Sequence, residues 1–260
     1  MSTNKLNFTY LSYKSLYSFQ TFKELLLFRI VDPLLHYLFF ATIALSLIDT
    51  DYLEFILLGN LIFMMSQTMI INLITMFRTE KLLGTLELNV AAPMPLIIII
   101  IKKSIIPILD ALLVFIISLT LLSFIFGISF PISSITYLIL TILVVLFSLL
   151  SVSLILASLG LLFSNVNLFL NLILSIFQIF CGVNFSTNLL PSFLKNFSDY
   201  LPTTHVIQAI RYFYAENYQI GLQFLVNEFY IGLIYFFIAL ILIRIMEFLS
   251  KINGSLYKSV

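Results

Sequence analysis

The sequence predicts an all-α integral membrane protein with six transmembrane helices. Two observations carry that prediction. Of the 260 residues, 61% are hydrophobic and only 10% are charged, whereas soluble domains run at about 45–50% apolar and 25% charged. The apolar residues also fall into six stretches, each near the roughly 20 residues that a spanning helix needs. The same composition excludes a disordered chain and a nucleic-acid binder with a basic footprint, because the formal net charge is only +1. Cys181 is the single cysteine, so neither a disulfide framework nor a cysteine metal cluster is available. There is no Trp, which leaves Phe and Tyr to form any interfacial aromatic belt. Abundant Leu, Ile, Phe and Asn with only 8 Gly point to the AT-rich genome of a low-GC bacterium.

The six spans are expected at about 30–48, 55–77, 104–126, 135–163, 168–185 and 229–249. Turn and charge signals separate them: Asp49-Thr-Asp51, the Arg78–Pro95 segment, Gly127–Ser134, Ser164–Asn167 and the long Asn184–Glu228 segment. Residues 1–28 contain Lys5, Lys14 and Lys23 among Tyr and Phe and lack the apolar core of a signal peptide. Apolar residues at 16, 19, 22 and 26 suggest an amphipathic interfacial helix. An extension of the first span is the alternative.

Basic residues give the orientation. Lys5, Lys14, Lys23, Arg29, Arg78, Lys81, Lys102, Lys103, Arg244, Lys251 and Lys258 fall on the side of the termini, and only Lys195 and Arg211 fall on the other. This bias predicts a multi-pass protein of the bacterial plasma membrane with both termini cytoplasmic. The whole chain, 1–260, reads as a single membrane domain.

The segment 78–95 runs Arg78-Thr-Glu-Lys-Leu-Leu-Gly-Thr-Leu-Glu87 and ends at Pro93 and Pro95. Gly84 supplies a kink or cap, Thr85 an N-cap, and Leu86–Ala92 about two helical turns. On spacing alone this is an ordinary interfacial loop or a knob on which a soluble partner docks. The external segment 184–228 carries apolar residues at near-helical spacing, and Pro191 and Pro202 each sit where a short helix would begin. Irregular backbone that dips into the membrane must be covered by protein, which points to a re-entrant helix pair. His205 follows the second Pro-Thr turn and reads as a hydrogen-bonded element.

These two loops carry a resemblance. Glu80-Lys-Leu-Leu-Gly-Thr-Leu-Glu87 with Pro93-Met-Pro95 resembles the E-x-x-x-G-T-L-E…P motif of type-2 ABC exporter permeases. Leu190-Pro191 followed by Tyr200-Leu-Pro202-Thr-Thr-His205-Val-Ile-Gln-Ala-Ile-Arg211 resembles their LP…LP-x-T-H-x-x-x-A-x-R stretch. The drug, bacteriocin and Nod-factor branch fits best; the polysaccharide and teichoic-acid branch usually lacks G-T-L-E.

The resemblance implies a transport subunit, not an enzyme, with no cofactor of its own. ATP and Mg would sit on a separate nucleotide-binding subunit, since this chain lacks the G-x-x-x-x-G-K-[ST] phosphate loop. It further implies that Arg78, Glu80, Gly84, Thr85, Leu86, Glu87 and Pro93 belong to a coupling helix that docks on the ATPase. A second permease copy or a homologous permease would complete the assembly. Pro191, Pro202 and His205 would belong to an outer gate. The substrate expected is amphipathic or hydrophobic: a drug, an antimicrobial peptide or a lipid-linked compound. A non-transport immunity or assembly subunit of the same fold, and a lipid-acting membrane enzyme, are the competing readings.

Polar residues inside the spans mark candidate path residues. Asn60 and Gln67 lie seven apart, with Met64 on their face, and Asn167, Asn171, Ser175 and Gln178 form one stripe. Such residues avoid lipid. Asn60, Met64, Gln67, Asn171, Ser175 and Gln178 either line a substrate path, as the resemblance implies, or make interhelical hydrogen bonds worth about 0.6 kcal/mol each. Asn167 reads as a packing contact. Ser148, Ser151 and Ser158 with Ala157 and Gly160 read as close helix packing. Asp110 lies seven positions beyond Lys103, about 10 Å deeper, and is expected to pair with Lys102, Lys103 or a neighbouring helix. Arg29, Asp32 and His36 read as a local helix-start network.

Overall fold

A computed structural model describes residues 22–47, 50–85, 89, 95–160 and 165–253. Among these the chain is all-α. The long helices are α1 (Phe22–Leu47), α2 (Thr50–Leu82), α3 (Leu96–Phe126), α4 (Ile135–Gly160) and α8 (Tyr218–Asn253). Each is long and apolar enough to cross a membrane. The shorter ones are α5 (Val166–Phe180), α6 (Ser192–Tyr200) and α7 (Thr204–Tyr214).

α2 is the hub. Within its apolar stretch 89% of the residues are buried, against 17% for α8 and 22% for α1. Leu57, Leu61, Ile62, Met65, Met69, Ile70, Leu73 and Phe77 form the centre of the core. Apart from Asn60, Gln67, Asn72 and a few hydroxyls, α2 carries apolar residues on every side, as a helix enclosed by neighbours requires. It packs against α1, α3, α4, α5 and α7, while α8 packs mainly on α4 and α7. The outward sides of α1, α3 and α8 carry exposed Leu35, Phe39, Leu109, Ile116, Phe237 and Ile241, the surface that a lipid solvent accepts.

Several expected boundaries move. α2 runs five residues beyond its expected span at each end, and α3 begins at Leu96, eight residues before the expected 104, so that Lys102 and Lys103 lie inside the helix. α1 begins at Phe22, so the last residues of the expected interfacial segment continue the first span; residues 1–21 lie outside the described residues. α5 has only 15 residues, about 22 Å at the helical rise and short of a hydrocarbon core of about 30 Å. The expected end at Phe185 is lost because Gly182 turns the chain at φ +72. At its start, Asn165 caps α5, its side chain accepting from the Leu168 amide at 3.1 Å.

α8 starts at Tyr218, well before the expected Phe229. Its first turns are polar (Gln219, Gln223, Asn227, Glu228) and hide the helix from a hydropathy reading. Tyr218 stacks on Tyr137 at 4.5 Å. Gly221 lets the Phe213 ring approach to where a side chain would clash at 2.4 Å.

The expected short helices before the last span are present. Pro191 occupies the N-cap position of α6, and α7 follows Pro202 after a left-handed Thr203 at φ 78. α6 and α7 lie at the end of the bundle where Phe55 begins the inner course of α2. Arg78 lies at the other end, 23 residues along the same helix, hence about 35 Å away.

Candidate functional site

Three polar regions stand out from the apolar bundle. The first is an open groove of about 490 Å³ between α1, α2 and α5. Gln67 from α2 and Asn171, Ser175 and Gln178 from α5 line it, with His36, Phe39, Phe40 and Phe63. Four of the six candidate path residues therefore meet. The side chains of Gln67, Asn171 and Gln178 make no hydrogen bond among the described residues. The Ser175 hydroxyl is turned onto the Asn171 carbonyl at 2.8 Å.

Asn60 and Met64 do not join the groove. They are 0% and 2% exposed in the core. Asn60 is nonetheless connected to it. Its Nδ2 donates to the Ile56 carbonyl at 2.9 Å and to Asn184 Oδ1 at 3.0 Å. Its Oδ1 lies 2.7 Å from His36 Nε2. With both amide hydrogens used, Oδ1 must accept, so His36 donates from Nε2. His36 was expected in a network with Arg29 and Asp32. It is drawn to Asn60 because a buried amide needs a partner more than an exposed Asp32 does. The i, i+3, i+4 spacing of His36, Phe39 and Phe40 was the available signal for this wall of the groove.

The second region is the Arg78 end. Arg78 Nη1 donates to Asn167 Oδ1 at 3.2 Å, tying α2 to the start of α5. Glu80 is buried and accepts from Lys103 Nζ and from Asn89 Nδ2, the latter at 3.0 Å. Gly84 ends α2 at φ +67, the left-handed cap that glycine adopts without strain. Thr85 donates its hydroxyl to the Glu80 carbonyl at 3.2 Å, and the residues it would cap lie outside the described ones. Leu82 and Leu83 stand 75% and 66% exposed beside this cap. Leu86, Glu87 and Pro93 lie outside the described residues.

Close by, Asp110 pairs with Arg29 of α1 and accepts from Asn72 of α2. A neighbouring helix was one of the expected partners. Arg29 thereby leaves the expected local network with Asp32. In a membrane interior the buried carboxylate is the stronger attraction.

The third region is the α6–α7 end. Glu228, expected on the outer surface, is 0% exposed inside α8. Its Oε1 accepts from Ser148 Oγ at 2.5 Å and from the Thr203 amide at 2.8 Å, while Oε2 has no partner among the described residues. Ser148, expected only to pack, is thus a ligand of this carboxylate. Gly232, whose missing side chain would lie 3.2 Å from the Ser148 backbone, allows α8 that close to α4. His205 places Nε2 3.0 Å from the Asp199 carbonyl and stacks on Phe224. The Pro202 carbonyl accepts from the buried Cys181 thiol at 3.5 Å, and the Pro191 carbonyl from the Leu194 amide at 2.9 Å.

Arg211 is the further surprise. Its Nε and Nη2 donate to the Phe55 carbonyl at 3.1 and 2.9 Å, and Nη2 also to the Val183 carbonyl at 2.8 Å. The guanidinium carbon sits 3.4 Å from the centroid of the Phe55 ring. Gly59 makes room, since a side chain there would meet the Val183 carbonyl oxygen at 2.2 Å.

Residues 7–215 match the family described as ABC-2 type transporter. The chain belongs to that family. The match covers α1 to α7 and stops at Ala215, where α8 is about to begin. No curated protein matches the chain. As an ABC-2 family member the chain is a multi-pass membrane permease subunit of an ABC transporter. Family membership implies an ATPase subunit as its partner.

Proposed function

We propose that the chain is the permease of an ATP-driven exporter and moves an amphipathic or hydrophobic compound out of a bacterial cell. A drug, an antimicrobial peptide or a lipid-linked compound fits that description. The observation that carries the reading is the groove. Uncommitted amides of Gln67, Asn171 and Gln178 sit beside Phe39, Phe40 and Phe63 on a face that would otherwise be apolar. A span does not turn free amides toward hydrocarbon. Aromatic walls with a few polar groups are what an amphipathic ligand needs. A second copy of the chain, or a homologous permease, closes the groove into a path.

The ATPase docks at the Arg78 end. In support, Leu82 and Leu83 are exposed next to the Gly84 cap, and Glu80 is anchored to Lys103 of α3. Movement of the docking segment is therefore passed to α2 and α3. Both termini lie in the cytoplasm on this reading, and α6, α7 and His205 form the outer gate.

The test is co-expression with a partner ATPase followed by reconstitution into vesicles. Wild type should show ATP hydrolysis stimulated by a transported compound. Joint replacement of Asn171 and Gln178 by Leu should lower that stimulation at least fivefold with the complex still assembled. Unaltered stimulation and transport across all compounds would overturn the path assignment.

A further inference from the structure

A second cavity, of about 250 Å³, opens at the α6–α7 end and shares no lining residue with the groove. Phe55, Gly182, Ser186, Thr187, Asn188 and Gln208 line it together with Arg211. Its volume falls below the roughly 300–1,000 Å³ of drug-sized sites. It is the size of a headgroup, not of a transported compound.

Its chemistry is one-sided. Arg211 is permanently charged. Its Nε and Nη2 are spent on the Phe55 and Val183 carbonyls, which hold the guanidinium still. Its Nη1, with two more hydrogens, has no partner among the described residues. No carboxylate lines the cavity. Glu54 is engaged by the Tyr214 hydroxyl at 3.0 Å, and Glu216 is exposed and outside the lining. The other polar side chains on the wall are neutral hydroxyls and amides: Ser186, Thr187, Asn188, Gln208 and Tyr212. The Gln208 amide has only a long 3.3 Å contact to Thr187 Oγ1. A fixed cation ringed by neutral donors, with no counter-charge supplied by the protein, recognises an oxyanion.

We propose that this cavity binds a phosphate group, seated on Arg211 Nη1 and contacted by Asn188 and Gln208. The phosphate of an anionic lipid headgroup and free inorganic phosphate share this chemistry. The site goes beyond the transport reading and does not depend on it.

Cys181, the single and buried cysteine, supplies a readout. A thiol-reactive fluorogenic dye labels it only as the full-length chain unfolds. Thermal unfolding is followed in maltoside detergent micelles, which carry no phosphate, with either inorganic phosphate or a rising fraction of phosphatidylglycerol added. Chloride at equal ionic strength is the control. A ligand at tenfold excess over its Kd should raise the unfolding midpoint by about 3 °C, and the rise should saturate. A rise with phosphatidylglycerol alone supports the site and assigns it to the lipid headgroup. A rise with inorganic phosphate as well supports the site and assigns it to the free ion.

Arg211→Gln should abolish either rise, but Arg211 also braces two carbonyls. Asn188→Asp is therefore the sharper variant. It places a carboxylate on the exposed wall without touching those bonds, and should weaken binding at least tenfold. An unsaturable rise, a rise equal to that of chloride, or the same response in Asn188→Asp overturns the proposal.

Discussion

The two ends of α2 solve opposite problems. At the Phe55 end the polar groups are tied to partners from other elements: Arg211 to two carbonyls, with Nη1 left facing its cavity, and the buried Glu228 to Ser148 and Thr203. At the Arg78 end Glu80 is anchored too, but Arg78 and Gly84 stand exposed at the rim, and a side chain at Gly84 would meet nothing within 4 Å. Burial raises the stake of each contact, because a polar group left alone in a low dielectric costs its full desolvation. The same kind of substitution should therefore be severe at one end and mild at the other. The groove between the ends is a third case, polar but uncommitted.

The strongest way to break this contrast is a pair of glycine substitutions. Gly59→Ala drives a methyl into the Val183 carbonyl oxygen at 2.2 Å and the Arg211 guanidinium at 2.5 Å. The Val183 backbone cannot yield cheaply and the guanidinium is held by its bonds to the Phe55 and Val183 carbonyls, so the cost should reach about 3 kcal/mol or more. Gly84→Ala meets no atom and carries only the left-handed backbone penalty of about 1–2 kcal/mol. Detergent-based thermal unfolding of the two variants side by side measures the difference. Equal midpoints would show that the two ends are not differently packed. Gly84→Ala should also weaken co-purification of the ATPase while the chain still inserts in the membrane.

Glu228 sharpens the comparison further. Replacing it with Ala strands the Thr203 amide and Ser148 hydroxyl and opens a void, for about 3 kcal/mol. Glu228→Gln keeps a carbonyl oxygen for both donors and should cost less than half as much. If both variants cost the same, the carboxylate charge, not the acceptor geometry, holds α7 to α8.

The sequence made the apolar bundle and the paired short helices legible, because spans announce themselves by length and prolines by position. Glu228 was misread because Gln219, Gln223 and Asn227 around it look like a loop. α4, approaching past Gly232, and the Thr203 turn before α7 meet around it. Arg211 was counted as a surface charge for the same reason, since its acceptors are main-chain carbonyls that no side-chain pattern encodes. Asp110 found Arg29 across 81 residues, a distance that spacing cannot foresee. In the groove, the α5 stripe was plain at period 3.6, while Asn60 and Met64 shared a face with Gln67 yet lie deeper, because α2 is enclosed on nearly every side.

The smallest effect on stability should fall where the effect on function is largest. Gln178 lines the groove and makes no hydrogen bond among the described residues. Gln178→Leu removes no intrachain contact of consequence, so its stability should stay within about 0.5 kcal/mol of wild type. Asn167, on the same helix stripe, is committed to Arg78 at 3.2 Å. Asn167→Leu should thus act on the joint between α2 and α5 and leave substrate preference alone. Transport of a panel of amphipathic compounds separates the two. Gln178→Leu should reorder the preference toward more apolar compounds, and Asn167→Leu should scale all rates alike. If Gln178→Leu leaves every rate unchanged but loosens the association of two chains, the stripe is an interface and the path lies elsewhere.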